Sequence, residues 1–348
     1  MIDLIKLDER SIVPKYLQII NSIVFNISNG NAKIGDKVPS INKLSQEFYL
    51  SRDTVERAYR VLKKRNILVS VHGKGTYIAQ TQNDVLTQTK VAFIVNKLSA
   101  FKMQIYNAFL EEIGDNCQVD LHSYHCDETL FLELMEKHKS SYNHFVILPH
   151  FRNENMRHTS ITDKVKKVIN TIPKERLILL DNTSRQVAED VAEIYQDFEK
   201  DIFTALELGK EKIKKYDKLV LVYPKTTFYP YPIEILHGFM KYCSQYNLNF
   251  EIQEEVSVDA VIEAKSLYIT IEENDLVNLL NCIKLVGLEL GKDVGIISYN
   301  DSPLKELLGI TVMTSDFKAM GLRAAKMITN YTKEKINVPF YFIDRTSI

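Results

Sequence analysis

The sequence predicts an α/β chain in two folding units: a small helical unit closed by a β-hairpin, and a larger one built on parallel sheets. Three observations lead there. At 348 residues the chain exceeds one small core, and two or three units are expected. Between residues 11 and 79, three stretches with apolar residues at three- and four-residue steps are followed by β-type runs around Gly73 and Gly75. From Lys90 onward, short apolar runs alternate with amphipathic segments, the pattern of parallel strands covered by helices on both faces.

Taken in order, residues 11–29 predict the first helix, with Tyr16, Leu17, Ile20, Val24 and Ile27 on one side and Asn29-Gly30 at its end. Ile34 to Lys37 form a turn. Pro39-Ser40 opens a second helix, where the serine hydroxyl caps free amides and Leu44 and Phe48 repeat at helical spacing. Ser51 caps a third, with Val55, Ala58, Tyr59 and Leu62 inward. Two β-type runs, Ile67–Val71 and Thr76–Ala79, flank the turn His72-Gly73-Lys74-Gly75. Two short helices and a glycine-tipped hairpin make a winged helix-turn-helix, whose second helix is expected in a DNA major groove. Arg52, at the N-terminal end of that helix, can grip guanine O6 and N7 with both arms of its fork. Ser51 and Thr54 are candidate phosphate donors. Tyr59 either donates to phosphate or belongs to the core, and Lys63, Lys64 and Arg65 either track the DNA backbone or solubilise the helix end.

These residues carry a resemblance. The run Pro14–Ile78 resembles the DNA-binding domain of the GntR family of bacterial transcription regulators. The match lies in Tyr16-Leu17-Gln18-Ile19, Gly35-Asp36-Lys37-Val38-Pro39-Ser40, Ser51-Arg52-Asp53-Thr54-Val55 and Gly73-Lys74-Gly75-Thr76-Tyr77. It implies that Arg52 and Thr54 face bases and phosphates, and that the wing, His72, Gly73, Lys74, Gly75 and Thr76, reaches the minor groove or backbone. The family usually has arginine where this chain has Asn42, and often another at Glu56. Asn42 can read adenine, whereas Glu56 repels phosphate. Arg57 is rotated about 100° from Glu56 and does not simply replace the missing cation. With Ser40, these residues complete the expected DNA-contacting set, and the operator is expected to depart from the family consensus.

Charge divides the same way. Residues 1–80 carry 13 Lys/Arg against 7 Asp/Glu, and the remainder 31 against 38, so a net of +6 meets a net of −7 within an overall −1. A small basic module joined to a larger acidic one suits a polyanion binder with a sensor attached. No apolar run approaches a membrane span, MIDLIKLDER does not read as a secretory signal, and four scattered cysteines make no disulfide framework. A cytoplasmic location and no membrane partner are expected. Residues 80–89, QTQNDVLTQT, are expected to link a domain at 1–79 to one at 90–348.

In the second domain nine runs read as strands: Val91–Val95, Val119–Tyr124, Phe145–Leu148, Leu177–Leu180, Leu219–Tyr223, Phe250–Ile252, Leu267–Ile271, Val294–Tyr299 and Thr311–Met313. Nine exceed one comfortable sheet, so two lobes are expected, with ligands bound beyond the carboxyl ends of the strands.

Residues 270–301 resemble the sugar-binding domain of LacI/GalR regulators and type I periplasmic binding proteins. The match lies in Asn274-Asp275, Gly287-Leu288 and Asp293–Tyr299, and continues in Ile310-Thr311-Val312 and Met320–Ala325. This resemblance implies a two-lobed, periplasmic-binding-protein-like fold and a candidate cleft. Asn274 and Asp275 would bind sugar hydroxyls, and Asn300 and Asp301 would stand where the family holds a ligand carboxylate. The other expected liners are Phe101 and Lys102, His150 and Arg152, Asp181, Asp197, Tyr229 and Tyr231. The family's usual arginine and aspartate are replaced by Ile235 and Asn300. The helix Phe317–Thr332, with Met320, Ala324, Met327 and Ile328, and the face beside Phe101 would form a homodimer interface.

Catalysis finds no support in the sequence. His122, His125, Cys126 and Asp127 are close in sequence, but strand alternation points the two histidines to opposite faces. Glu272-Glu273 suits a helix start rather than an acid–base pair. The usual nucleophile-elbow, phosphate-loop and dinucleotide signatures are absent. No metal or cofactor is expected. The sequence therefore predicts a DNA-binding transcription regulator, expected to be a repressor of carbohydrate-utilisation genes. It would be a homodimer on double-stranded operator DNA, controlled by a monosaccharide or sugar phosphate. The rival is an enzyme on a sugar or amino compound with a DNA-binding appendage, which would need a Schiff-base lysine and a longer chain.

Overall fold

The computed structural model describes residues 2–7, 14–28, 30–79, 89–114, 117–182, 190–225 and 227–348. Residues 80–88 of the expected linker, and 11–13 and 29 of the expected first helix, lie outside them. The chain divides into two compact units, Met1–Thr89 with Asp115–Gln118, and Lys90–Gly114 with Val119–Ile348.

In the first unit, helices α1 (Lys15–Ser28), α2 (Ile41–Glu47) and α3 (Arg52–Lys64) precede strands β1 (Leu68–Val71) and β2 (Gly75–Ile78). Both predicted caps form: Ser40 accepts from the Lys43 amide and Ser51 from the Thr54 amide, each satisfying an N–H that the helix leaves free. Leu17, Ile20, Leu44, Val55, Ala58 and Leu62 make the core. Tyr59 belongs to it, with its hydroxyl donating to the Pro39 carbonyl at 2.6 Å. The hairpin is antiparallel, and Lys37 adds an isolated antiparallel bridge to Tyr77. This is a winged helix-turn-helix.

The second unit has two lobes. The sheet of the first runs β15-β9-β8-β5-β3-β4, comprising Lys335–Asn337, Ala192–Gln196, Leu177–Asn182, His144–Ile147, Thr89–Val95 and Cys117–Ser123. That of the second runs β11-β10-β12-β13-β14-β16, comprising Phe250–Gln253, Lys218–Val222, Ser266–Thr270, Gly295–Tyr299, Thr311–Ser315 and Phe340–Ile343. Its first five strands are parallel, and β16 pairs antiparallel with β14. All nine predicted strands are present. Strands β9, β15 and β16 and the two-residue pair β6 (Phe151–Arg152) and β7 (His158–Thr159) were not predicted.

The chain passes between lobes three times: after β9 into helix α7 (Phe198–Ile213), after β14 into helix α11 (Phe317–Asn330), and from β15 to β16. Helix α11 packs back on helix α4 (Ala100–Ile113) of the first lobe. Gly321 permits this, because a Cβ there would strike the Ile105 carbonyl. The packing corrects the expected dimer interface. Met320, Ala324, Met327 and Ile328 are buried in the chain's own core, since their side of α11 faces α4 and leaves nothing to offer a partner. Among the described residues, no helix is long and apolar enough to cross a membrane, and no group of three or more His, Cys, Asp or Glu could hold a metal ion.

Candidate functional site

On the winged unit, Arg52 opens α3 and is solvent-exposed, with Asn42, Ser51 and the wing residues His72 and Lys74 also exposed. The cap bonds fix the backbone at both helix starts, so the arginine leaves the scaffold at a defined point. Ser51 and Thr54 share a hydroxyl–hydroxyl bond of 2.7 Å. Gly73 and Gly75 hold φ of 70° and 118°, values that a side chain would strain, and this tightens the wing tip. Glu56, one of the two departures, and its neighbour Arg57 settle differently. Glu56 lies 3.7 Å from Arg60 one turn on, in an exposed pair that mutes its charge. Arg57 remains exposed and stacks on the Tyr16 ring of α1, 4.0 Å from its centroid, which fixes the direction of its side chain.

In the second unit, a cavity of about 150 Å³ opens between the two lobes. That is room for roughly five water molecules. Its first-lobe wall comes from the ends of strands, the loops after them and the first turn of helix α4: Asn96, Lys97, Phe101, Lys102, His150 and Asp181. Tyr231, Ile235, Tyr299 and Asn300 contribute from the second. Position follows from topology, because parallel strands end together and present their loops on one edge.

Asp181 is the electrostatic centre of the first-lobe wall. It is buried, pairs with the Lys102 ammonium, accepts from the Gln196 amide, and lies 2.9 Å from His150 Nε2. His150 Nδ1 meets His158 Nε2 at 2.8 Å. Burial alone would raise the Asp181 carboxyl, but Lys102 and His150 hold it well below the usual carboxylate range. Burial pushes His150 down despite Asp181, and pushes His158 further down with His150 adding to the effect. Asp181 (φ 74°) and Asn300 (φ 62°) both adopt the left-handed conformation that non-glycine residues avoid, and both line the cavity. Lys305, buried on helix α10 (Pro303–Leu307), holds the second of these turns by donating to the Tyr299 and Asn300 carbonyls at 2.7 and 3.0 Å. Burial lowers its ammonium to about 8.

Comparison with known proteins follows this division. The family model for bacterial regulatory proteins, gntR family, matches residues 15–78. The HTH-type transcriptional repressor YtrA of Bacillus subtilis is 32% identical over 108 residues, which cover 31% of this chain and 83% of that repressor. The chain belongs to the gntR family of bacterial regulatory proteins. Another relative, the arabinose metabolism transcriptional repressor of Geobacillus stearothermophilus, is 34% identical over 83 residues; these span 24% of the GntR chain and only 23% of that relative's length. The second unit resembles a different set. A LacI family regulator, CCPA of Weissella paramesenteroides, solved with bound sucrose, superposes with a TM-score of 0.58 at 14% identity, over 74% of this chain and 98% of the other. That likeness shows the fold: a GntR winged helix carried on a LacI-type, two-lobed α/β domain.

Of the expected cleft residues in this GntR protein, Phe101, Lys102, His150, Asp181, Tyr231 and Asn300 line the cavity. The others do not, and each has another task. Asp275 is buried at the start of helix α9 (Glu273–Leu285) and accepts from the Val256 amide at 2.8 Å, while Asn274 points to solvent. Asp301 is gripped through both oxygens by Arg345 at 2.9 Å. Asp197 caps α7 through the Lys200 amide. Arg152 pairs with Asp127 at 3.1 Å and crosses to the second lobe, donating to the Phe228 carbonyl at 3.3 Å. Tyr229 meets His125 Nδ1 at 3.0 Å, also across the lobes. His122 instead bonds Tyr142, so the two histidines have separate partners. Sequence reasoning missed Asn96, Lys97 and Gln196. The first two directly follow a predicted strand, which was the available signal.

Proposed function

We propose that this protein is a transcriptional repressor that binds operator DNA as a homodimer and loosens its grip when a small sugar or sugar phosphate fills the interlobe cavity. One observation carries the reading: a winged helix with an exposed arginine at the start of its second helix shares a chain with a two-lobed fold whose cavity is lined by aromatic and polar groups. Support comes from relatives, among them repressors of arabinose metabolism and of mannosyl-D-glycerate transport and metabolism. Support also comes from the two-fold logic of recognition, since one winged helix makes too few contacts for a unique site. A ligand acts only through different affinities for two arrangements of the lobes. A coupling of about 1–3 kcal/mol changes operator affinity roughly 5- to 150-fold.

The test starts from an operator selected out of random duplexes by the purified protein. Monosaccharides and their phosphates are then titrated against the complex in a mobility-shift assay. Release of DNA by at least one compound is the expected result, and a complex indifferent to all of them would refute sugar control. Arg52→Ala is expected to weaken specific binding by about 1–3 kcal/mol while leaving non-specific binding nearly intact. Unchanged footprints would remove Arg52 from the interface.

A further inference from the structure

We propose that the effector is a sugar phosphate rather than a neutral sugar, and that Lys97 is the residue that selects it. This deepens the reading of the cavity as the effector site and rests on it.

Lys97 directly follows Asn96, the first residue after β3, and lines the cavity. Its ammonium sits over the rings of Tyr231 and Tyr229, 5.0 and 5.3 Å from their centroids, and forms no ion pair among the described residues. Among the neighbouring carboxylates, Asp181 already serves Lys102, His150 and Gln196, while Glu272 attracts Lys97 from outside the cavity lining without forming an ion pair with it. The lining thus holds two lysines against one carboxylate, with a histidine that burial keeps neutral. Burial and then the nearby Lys102 charge push the Lys97 ammonium below its ordinary value.

An independent observation lies next to it. Among the described residues, the side-chain oxygen of Asn96 is buried without a hydrogen-bond partner, while its side-chain amide reaches the Cys126 sulfur at 3.5 Å. An orphaned buried acceptor calls for a donor. A sugar hydroxyl supplies that donor, and a phosphate on the same molecule supplies the counter-charge for Lys97. A neutral sugar would satisfy Asn96 and leave a half-buried ammonium with only ring faces for company. A charge-assisted bond from phosphate to ammonium is among the strongest single contacts available in such a site.

The experiment is calorimetric titration of the full chain with matched probes: glucose, fructose and ribose, their monophosphates, gluconate, and inorganic phosphate. Wild type is compared with Lys97→Met and Lys97→Arg, each first checked by circular dichroism for native helix content. At least one monophosphate is expected to bind wild type while its parent sugar does not. Lys97→Met is expected to weaken it tenfold to a hundredfold, roughly the worth of a hydrogen bond to a charged group, and Lys97→Arg to retain it. A neutral sugar that binds wild type and Lys97→Met equally would overturn this proposal and leave the effector cavity standing. Binding of inorganic phosphate alone, or of gluconate more tightly than any monophosphate, would overturn the sugar-phosphate class. No binding by any probe would overturn both readings together.

Discussion

Asp181→Ala is expected to cost the second unit about 3–5 kcal/mol of stability, the usual penalty for stranding one member of a buried ion pair. Lys102 is only 9% exposed and Asp181 1%, so neither can turn to water for compensation. The loss extends beyond Coulomb attraction. His150 and Gln196 each lose their bond to the carboxylate, and alanine must then adopt a φ of 74° that aspartate tolerates better. Urea melts of wild type, Asp181→Ala, Lys102→Met and the double variant measure the coupling. The double variant should recover much of the loss, because an apolar pair no longer buries an orphan charge. A single-variant loss under about 1 kcal/mol with no recovery would show that the pair does not hold the first-lobe wall together. The sign with pH follows from a folded carboxyl held below its unfolded value. The pair's contribution is present above about pH 4 and is lost as the solution is acidified further.

Asp201→Asn is expected to do the opposite and stabilise the protein at neutral and alkaline pH. Asp201 lies in the first turn of α7, buried, with one carboxyl oxygen lacking any partner among the described residues. Burial first, and the Asp197 carboxylate second, raise it to about 7. The folded state therefore holds a proton that the unfolded chain releases near pH 4, and stability falls as pH rises from about 4 through 7. Asparagine removes the ionisation. At pH 8 the variant should be more stable by on the order of 2–4 kcal/mol, and the two should converge toward pH 4. Thermal melts across that range decide the matter: parallel curves for the two proteins would mean that Asp201 titrates normally.

Much of the fold was legible because its signals are local. Ser40 and Ser51 announce their helices through a side-chain oxygen within three residues of its target, and the predicted strands are runs of β-branched and other apolar residues. Strand β9, AEIYQ, was missed because Glu193 and Gln196 break its apolar run; both are nevertheless buried. Strand β15, KIN, is too short to give a run, whereas β16, FYFI, is an apolar β-type run that sequence reasoning passed over; β9 and β14 across the chain supply their partners.

The cavity was legible in part for a related reason. Resemblance places a residue on the backbone, but the side chain's partner comes from far along the chain. Asp301 looks free until Arg345, 44 residues on, closes over it. Asp275 looks like a sugar ligand until the Val256 amide, 19 residues back, claims its oxygen. Lys97 errs the other way: in NKLSA it reads as an ordinary solvated lysine, and only the tyrosines some 130 residues later make it a lining group.

The three passages between the lobes have a mechanical consequence. Gln196 ends the strand before the first passage and Ser315 the strand before the second, and the serine hydroxyl bonds the Gln196 side chain. Gln196 in turn donates to Asp181 in the cavity wall. Two of the three straps are thus stitched to each other and, through Gln196, to the buried carboxylate of the cavity wall. Any change in how those two straps lie must pull on the same side chain that braces Asp181, so the crossing and the wall are one piece of polar structure rather than two.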